Sequence, residues 1–188
     1  LHELFVNLIG VTPKEWKEKG KDVQITYGFG ETPFGEALIG FTDKGICYLG
    51  FIDDNKTEIF NRFNELWENA NLVHNEIAAN EYLENIFVKN KKYNLFVKGT
   101  NLQVNVWKAL LNLPNGIVAT YQDIANYLDK PKAVRAIASA IGRNHVGYLI
   151  PCHRVIAKSG AMSGYRWGIE RKKILIAYES VKENNQNQ

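Results

Sequence analysis

Apolar positions along the first half of the chain recur at two different periods. Val23, Ile25, Tyr27 and Phe29 fall on every second residue, the alternation of a half-buried strand. EALIGFT and ICYLGF are two β-prone runs separated by Asp43-Lys44-Gly45, which predicts a hairpin. In KTEIFNRFNELWENA, Ile59, Phe60, Phe63, Leu66, Trp67 and Ala70 form a one-sided stripe, the mark of an amphipathic helix. A second helix around 78–87 and a strand over 93–97 complete an α+β module. Ahead of it, residues 4–20 read as the end of a helix, a turn at Thr12-Pro13 and a short polar helix. Nothing in this half looks catalytic, and Cys47, inside an apolar strand, reads as a small core hydrophobe.

From residue 99 the pattern is helical. Thr100 or Asn101 can cap a helix carrying Val106, Trp107, Leu110 and Leu111, ended by the turn Pro114-Asn115-Gly116. Thr120 caps YQDIANYL, with Asp123 at the third helical position as a weak capping box. After Asp129-Lys130-Pro131 comes AVRAIASAIG, so two short helices joined by a tight turn predict a helix-turn-helix. In the second of them Val134, Ile137, Ala138 and Ile141 should pack inward, leaving Arg135, Ser139 and Arg143 outward among Ala133, Ala136 and Ala140. The last helix, ERKKILIAYES, is read as burying Ile174, Leu175 and Tyr178 with Glu179 close to that stripe.

Composition narrows the function. The 188 residues are 45% hydrophobic and 23% charged, which excludes disordered and fibrous classes. No apolar run approaches the roughly 18 residues of a membrane span. Two cysteines provide neither a disulfide framework nor a zinc site, so no metal and no cofactor are expected, and the protein reads as cytoplasmic and reduced. The chain opens on Leu1 rather than Met, the start expected of a fragment. Net charge is +3, but residues 1–97 carry 10 Lys/Arg against 15 Asp/Glu (−5) and residues 98–188 carry 13 against 5 (+8). A half this basic concentrates a polyanion and, with the helix-turn-helix, points to nucleic acid; a solvated surface is the plainer alternative.

The most unusual stretch is VGYLIPCHRVI, residues 146–156, where Pro-Cys-His-Arg interrupts an apolar run. Pro151 donates no backbone hydrogen bond and disfavours helix at Ile150, so Cys152 should sit at a kink. A buried Arg154 needs partners, and a neighbouring imidazole with a positive field should hold the Cys152 thiol ionised. A carboxylate on a buried helix face needs a cationic or imidazole partner, and for Glu179 that is His153. Downstream, SGAMSGYRWG (159–168) is a Gly-punctuated aromatic loop that could wall a pocket for a flat ring.

Ile150-Pro151-Cys152-His153-Arg154-Val155-Ile156, with Gly160, Gly164-Tyr165 and the closing Glu179, closely resembles the O6-alkylguanine-DNA alkyltransferases, also called methylated-DNA–protein-cysteine methyltransferases. The resemblance covers about residues 21–180. Residues 4–20, with GVTPKEW, and the GYRWG loop resemble the adaptive-response (Ada-type) regulators, in which an activator helix-turn-helix precedes the alkyltransferase. The resemblance implies a remnant of that activator at 1–20, a ribonuclease H-like α/β domain at 21–98, a mainly helical catalytic and DNA-binding domain at 99–181, and a disordered tail at 182–188.

It also implies the chemistry. Cys152 would take the alkyl group irreversibly from O6-alkylguanine, and from O4-alkylthymine, in double-stranded DNA bound through the minor groove, with the base flipped out. His153, acting through a water and oriented by Glu179, would take the thiol proton; Tyr121 would donate to the departing guanine; Asn144 would organise the active-site turn. Arg135 would fill the space left by the base, with Gln122, Lys132 and Ala133, and then Ala136, Ser139 and Ser159, along the DNA. Val155, Ile141, Tyr165, Arg166 and Trp167 would line the base pocket. The protein is expected to work as a monomer.

Two departures from the family pattern matter. His145 follows Asn144 where Pro is frequent, which should loosen the turn, and Trp167 stands where some relatives have Gly, which should narrow the pocket toward methyl adducts. Other readings are a non-catalytic lesion-binding module, opposed by the presence of Cys152, and a Cys-His hydrolase, opposed by the lack of an oxyanion motif. A transcriptional regulator would need more of the activator than residues 4–20 hold.

Overall fold

In the second half of the chain, the backbone donors that a helix leaves open at its start are taken up by capping side chains. Thr100 and Gln103 bond reciprocally at the head of α3 (Asn101–Leu111). Asp123 Oδ2 accepts from the Thr120 backbone at 2.8 Å and from its hydroxyl at 2.7 Å, opening α4 (Tyr121–Tyr127); the expected weak box is a complete one. The computed structural model describes residues 8–10, 20–162 and 164–186, and the chain divides into two units between Gly99 and Thr100.

Among the described residues, the first unit is a six-stranded sheet with two helices. β2 (Gln24–Thr32), β3 (Gly35–Phe41) and β4 (Ile46–Phe51) form an antiparallel meander, with the predicted hairpin turn between β3 and β4. Outside it lie β5 (Asn71–His74), parallel to β2, and β6 (Leu95–Val97), parallel to β4. The expected strand over 93–97 is thus shorter, and the expected helix over 78–87 starts earlier. Asn75 accepts from the Ala78 amide, so α2 spans Glu76–Phe87, following α1 at Lys56–Leu66. Ile25, Leu38, Tyr48, Phe63, Trp67 and Phe96 pack one core cluster with Cys47, whose thiol burial raises far above its usual range. α2 lies so close to β2 that a Cβ on Gly28 would stand 2.7 Å from that of Ala79.

Leu8–Gly10 forms β1, parallel to β6, and not the end of a helix as the sequence pattern had it. The reason is the unpaired edge of β6, which offers backbone partners that local propensity does not register. The rest of the activator-remnant reading lies outside the described residues, Gly20 apart.

The second unit is mainly helical, with α3, α4, α5 (Val134–Gly142) and α6 (Ile169–Gln186) around a two-stranded parallel ribbon, β7 (Ala119–Thr120) and β8 (Val155–Ile156). The expected α+β architecture, a sheet-bearing first part and a helical second part, is the one observed. α3 packs on α5 through a bond from Trp107 Nε1 to the Ala140 carbonyl at 3.0 Å. Ala140, expected on the outer face, is therefore buried, while Arg135, Ala136, Ser139 and Arg143 stay exposed.

α6 departs from its sequence reading in two ways. Ile174 is 55% and Tyr178 38% exposed, whereas Lys172, Leu175 and Glu179 are buried. The inward face follows the i, i+3, i+7 rows that place two charged groups beside Leu175, which hydropathy alone ranks last for burial. The helix also continues to Gln186 and takes in the first five residues of the expected disordered tail, 182–186, because no Gly or Pro interrupts 169–186. Among the described residues no helix is long and apolar enough to cross a membrane.

Candidate active site

Pro151 ends the apolar run, and the chain turns through a single 3₁₀ turn, Cys152–Arg154, before entering β8. The kink read from the sequence is this turn. Cys152 is 6% exposed. Asn144, which follows α5, holds the loop that leads into it: Oδ1 accepts from the Val146 amide at 2.9 Å. Its Nδ2 reaches the carbonyls of Val146 and Ile150 at 3.3 and 3.1 Å and Cys152 Sγ at 3.2 Å. One side chain thereby shapes the turn and donates to the sulfur.

The residues after the cysteine point to α6. His153 Nε2 and Glu179 Oε1 lie 2.8 Å apart. Arg154 adds Nε to Oε2 at 2.8 Å and Nη2 to Oε1 at 2.9 Å, so Glu179 accepts from both neighbours. Burial works against the Glu179 carboxylate, but the hydrogen bonds and guanidinium charge outweigh it and hold the group at about 2. For His153 burial dominates and, with Arg154 and Lys172 nearby, lowers its pKa in spite of Glu179. The imidazole is therefore neutral at pH 7. With Nε2 facing a carboxylate, the proton belongs on Nε2 and the lone pair on Nδ1, and Nδ1 bonds to no protein atom among the described residues.

The thiol differs from expectation. Burial raises the Cys152 pKa, and the opposing pull of Asn144, Lys172 and Arg166 does not cancel it. The resting group is a thiol, not a held thiolate, because desolvation of a nearly dry sulfur exceeds the gain from charges that do not touch it.

Burial first, and repulsion from Cys152 in its ionised form second, push the phenols of Tyr121, at the head of α4, and Tyr165 up, so both are donors. A Cβ on Gly164 would come within 3.2 Å of the Tyr121 hydroxyl, so the 159–168 loop runs beside it. Tyr165 meets His153 edge-on at 6.4 Å and Trp167 at 5.4 Å. Trp167 is buried on Gly147, where a Cβ would stand 2.8 Å from the indole. Arg166 is exposed and donates to the Gly142 carbonyl at 3.2 Å.

The predicted residues thus fall into two groups. Cys152, His153, Glu179, Asn144, Tyr121, Val155, Tyr165 and Trp167 surround the 3₁₀ turn, and Ile141, buried in α5, accepts from the Asn144 amide at 3.2 Å. Arg135, Lys132, Ala136 and Ser139 lie apart from it on the exposed surface around α5, with Ala133 half-buried and Ser159 exposed in the loop. Gln122 is engaged internally, donating to Asn126 and to the Pro131 carbonyl at 3.0 and 3.1 Å, which ties α4 to the turn before α5. His145 does not loosen its turn: it is buried edge-on against Trp107 at 5.3 Å.

Sequence reasoning missed three features. Lys172 is fully buried and donates to the Val155 carbonyl at 2.6 Å; its spacing of seven from Glu179 on one helix face was the available signal. Tyr148 takes φ +64°, rare for an aromatic residue, with its ring parallel to that of His153 at 6.3 Å; no local signal marks it. The Leu113 carbonyl and Asn115 Oδ1 both accept from the Arg154 guanidinium. Among the described residues no cluster of His, Cys, Asp or Glu suits a metal.

Residues 101–181 match the family described as 6-O-methylguanine DNA methyltransferase, DNA binding domain. The chain is 32% identical to the bifunctional transcriptional activator/DNA repair enzyme Ada of Escherichia coli over 181 residues, 93% of this chain but 51% of that protein, so it spans about half of that relative. It is 37% identical to the inducible methylated-DNA–protein-cysteine methyltransferase of Bacillus subtilis over 147 residues, 75% of this chain and 82% of that one. The crystal structure of Mycobacterium tuberculosis OGT in complex with DNA is similar at a TM-score of 0.67 and 28% identity, covering 84% of this chain and 94% of that one. With most of a relative's length matched and the cysteine, asparagine, histidine and glutamate gathered at one turn, the chain belongs to the methylated-DNA–protein-cysteine methyltransferase family.

Proposed function

We propose that this chain repairs DNA by direct, stoichiometric transfer of an alkyl group from O6-alkylguanine to Cys152, working as a monomer on duplex DNA in the cytoplasm. The observation that carries the reading is the Cys152 thiol bonded to Asn144, with a neutral His153 behind it anchored by an ionised Glu179. His153 Nδ1 accepts the thiol proton through a bridging water as Sγ attacks the alkyl carbon. The Sγ–C bond forms, the C–O6 bond breaks, and the electron pair leaves with guanine, which Tyr121 stabilises as a donor. Because the thiol is neutral at rest, deprotonation accompanies attack. The product thioether has no electrophilic carbonyl for water, so the protein acts once.

Arg135, Ala136, Ser139 and Arg143 support a DNA-facing surface on α5. Small side chains let the helix approach the minor groove, Arg135 reaches into the stack as the base flips out, and phosphate contacts give salt-dependent, sequence-blind affinity. Peptide mass spectrometry after mixing with O6-methylguanine DNA tests the proposal. One added methylene is expected on the Cys152 peptide at one equivalent per chain, and Cys152→Ala binds the DNA without transfer. Sustained turnover, or an unmodified Cys152 peptide, refutes it.

A further inference from the structure

Arg154 is a buried cation whose guanidinium can only donate, and its partners come from two directions. Nε and Nη2 grip Glu179. On the other side Nη1 donates to the Leu113 carbonyl at 2.6 Å and Nη2 to Asn115 Oδ1 at 2.5 Å. These two oxygens lie in the turn between α3 and β7, which the sequence marks only as a helix stop. The same turn runs on through β7 to Tyr121, and β7 pairs with β8 so that Ala119 faces Val155. The guanidinium is a rigid planar fork, so the position of the turn's oxygens sets the angle at which Nε and Nη2 meet Glu179. Glu179 in turn is the partner that orients His153.

We propose that Asn115 is a positioning residue for alkyl transfer, acting through Arg154 and Glu179 to hold His153 toward Cys152. This rests on the function proposed above. An aliphatic side chain at 115 removes one acceptor from a buried guanidinium. The fork then turns to recover a partner, and its two-point grip on Glu179 loosens. Asn115 belongs to the turn between α3 and β7 and not to the cysteine turn or to α5, so its loss slows transfer without weakening DNA binding.

The test compares the parent chain with Asn115→Leu, of similar size but lacking an acceptor, and Asn115→Asp, which keeps one. For each, the single-turnover rate on a duplex containing O6-methylguanine and the equilibrium Kd for that duplex are measured. Asn115→Leu is expected to transfer about tenfold more slowly with Kd changed less than about twofold, and Asn115→Asp to stay within about twofold of the parent in both. Should the leucine variant not fold, Asn115→Gly replaces it with the same expectation. Parental rates in the variant lacking the acceptor, an aspartate variant as slow as that one, or a loss of affinity equal to the loss of rate each overturn the proposal. Failure of the parent to transfer at all refutes the proposed function instead.

Discussion

Replacing Glu179 with Gln removes the charge on which three donors converge while leaving the side chain's shape. The carboxyl is 6% exposed and is held at about 2 against an ordinary 4.5. A gap of about 2.5 at about 1.4 kcal/mol per pH unit makes ionised Glu179 worth about 3–4 kcal/mol to the folded state. Because the folded pKa is the lower one, this stabilisation is present above pH 4.5 and is lost as pH falls toward 2. Glu179→Gln cannot titrate, so the parent should exceed the variant by about 3–4 kcal/mol at pH 6, with most of that difference gone by about pH 2.5. Urea unfolding of both proteins across this range measures it; titrating groups away from the cluster cancel in the comparison, whereas His153, which loses the charged partner that raises its pKa, adds to the difference where it titrates. A parent–variant gap unchanged between pH 6 and about 2.5 would refute the assigned charge state of the His153–Glu179–Arg154 cluster. The variant should also transfer about tenfold or more slowly, since a neutral amide orients His153 less firmly.

Asn144→Ala strands the buried Val146 amide and frees the cysteine loop; a loss of about 2–3 kcal/mol in urea unfolding, together with a slower single turnover, is expected. Arg135→Ala should weaken binding to duplexes of different sequence alike and reduce the slope of log K against log salt by about 1, as read by titration at several salt concentrations. Trp167→Gly removes the ring that backs Tyr165 and covers Gly147. It should cost about 3–5 kcal/mol in thermal or urea unfolding while raising transfer from benzylguanine relative to methylguanine; equal rates from benzylguanine in the two proteins would contradict the narrowing role of Trp167.

The chain's own pattern announced the alternating strands, the Asp43–Gly45 hairpin, the Thr100 and Thr120 caps and the kink at Pro151, because each depends on neighbours a few residues away. It likewise marked Cys152, His153 and Glu179, as reactive or charged side chains set in apolar surroundings. Tertiary structure alone decided the rest. β1 exists because an edge of β6 is open to it, α6 turns Lys172 and Glu179 inward because partners in the 3₁₀ turn and β8 satisfy them, and Arg154 is shared between Glu179 and a turn some 40 residues earlier. The protonation state of the thiol belongs to the same class. A sequence displays the charges that could ionise Cys152, but the free energy of stripping water from its sulfur depends on how completely the folded chain encloses it, and here enclosure wins.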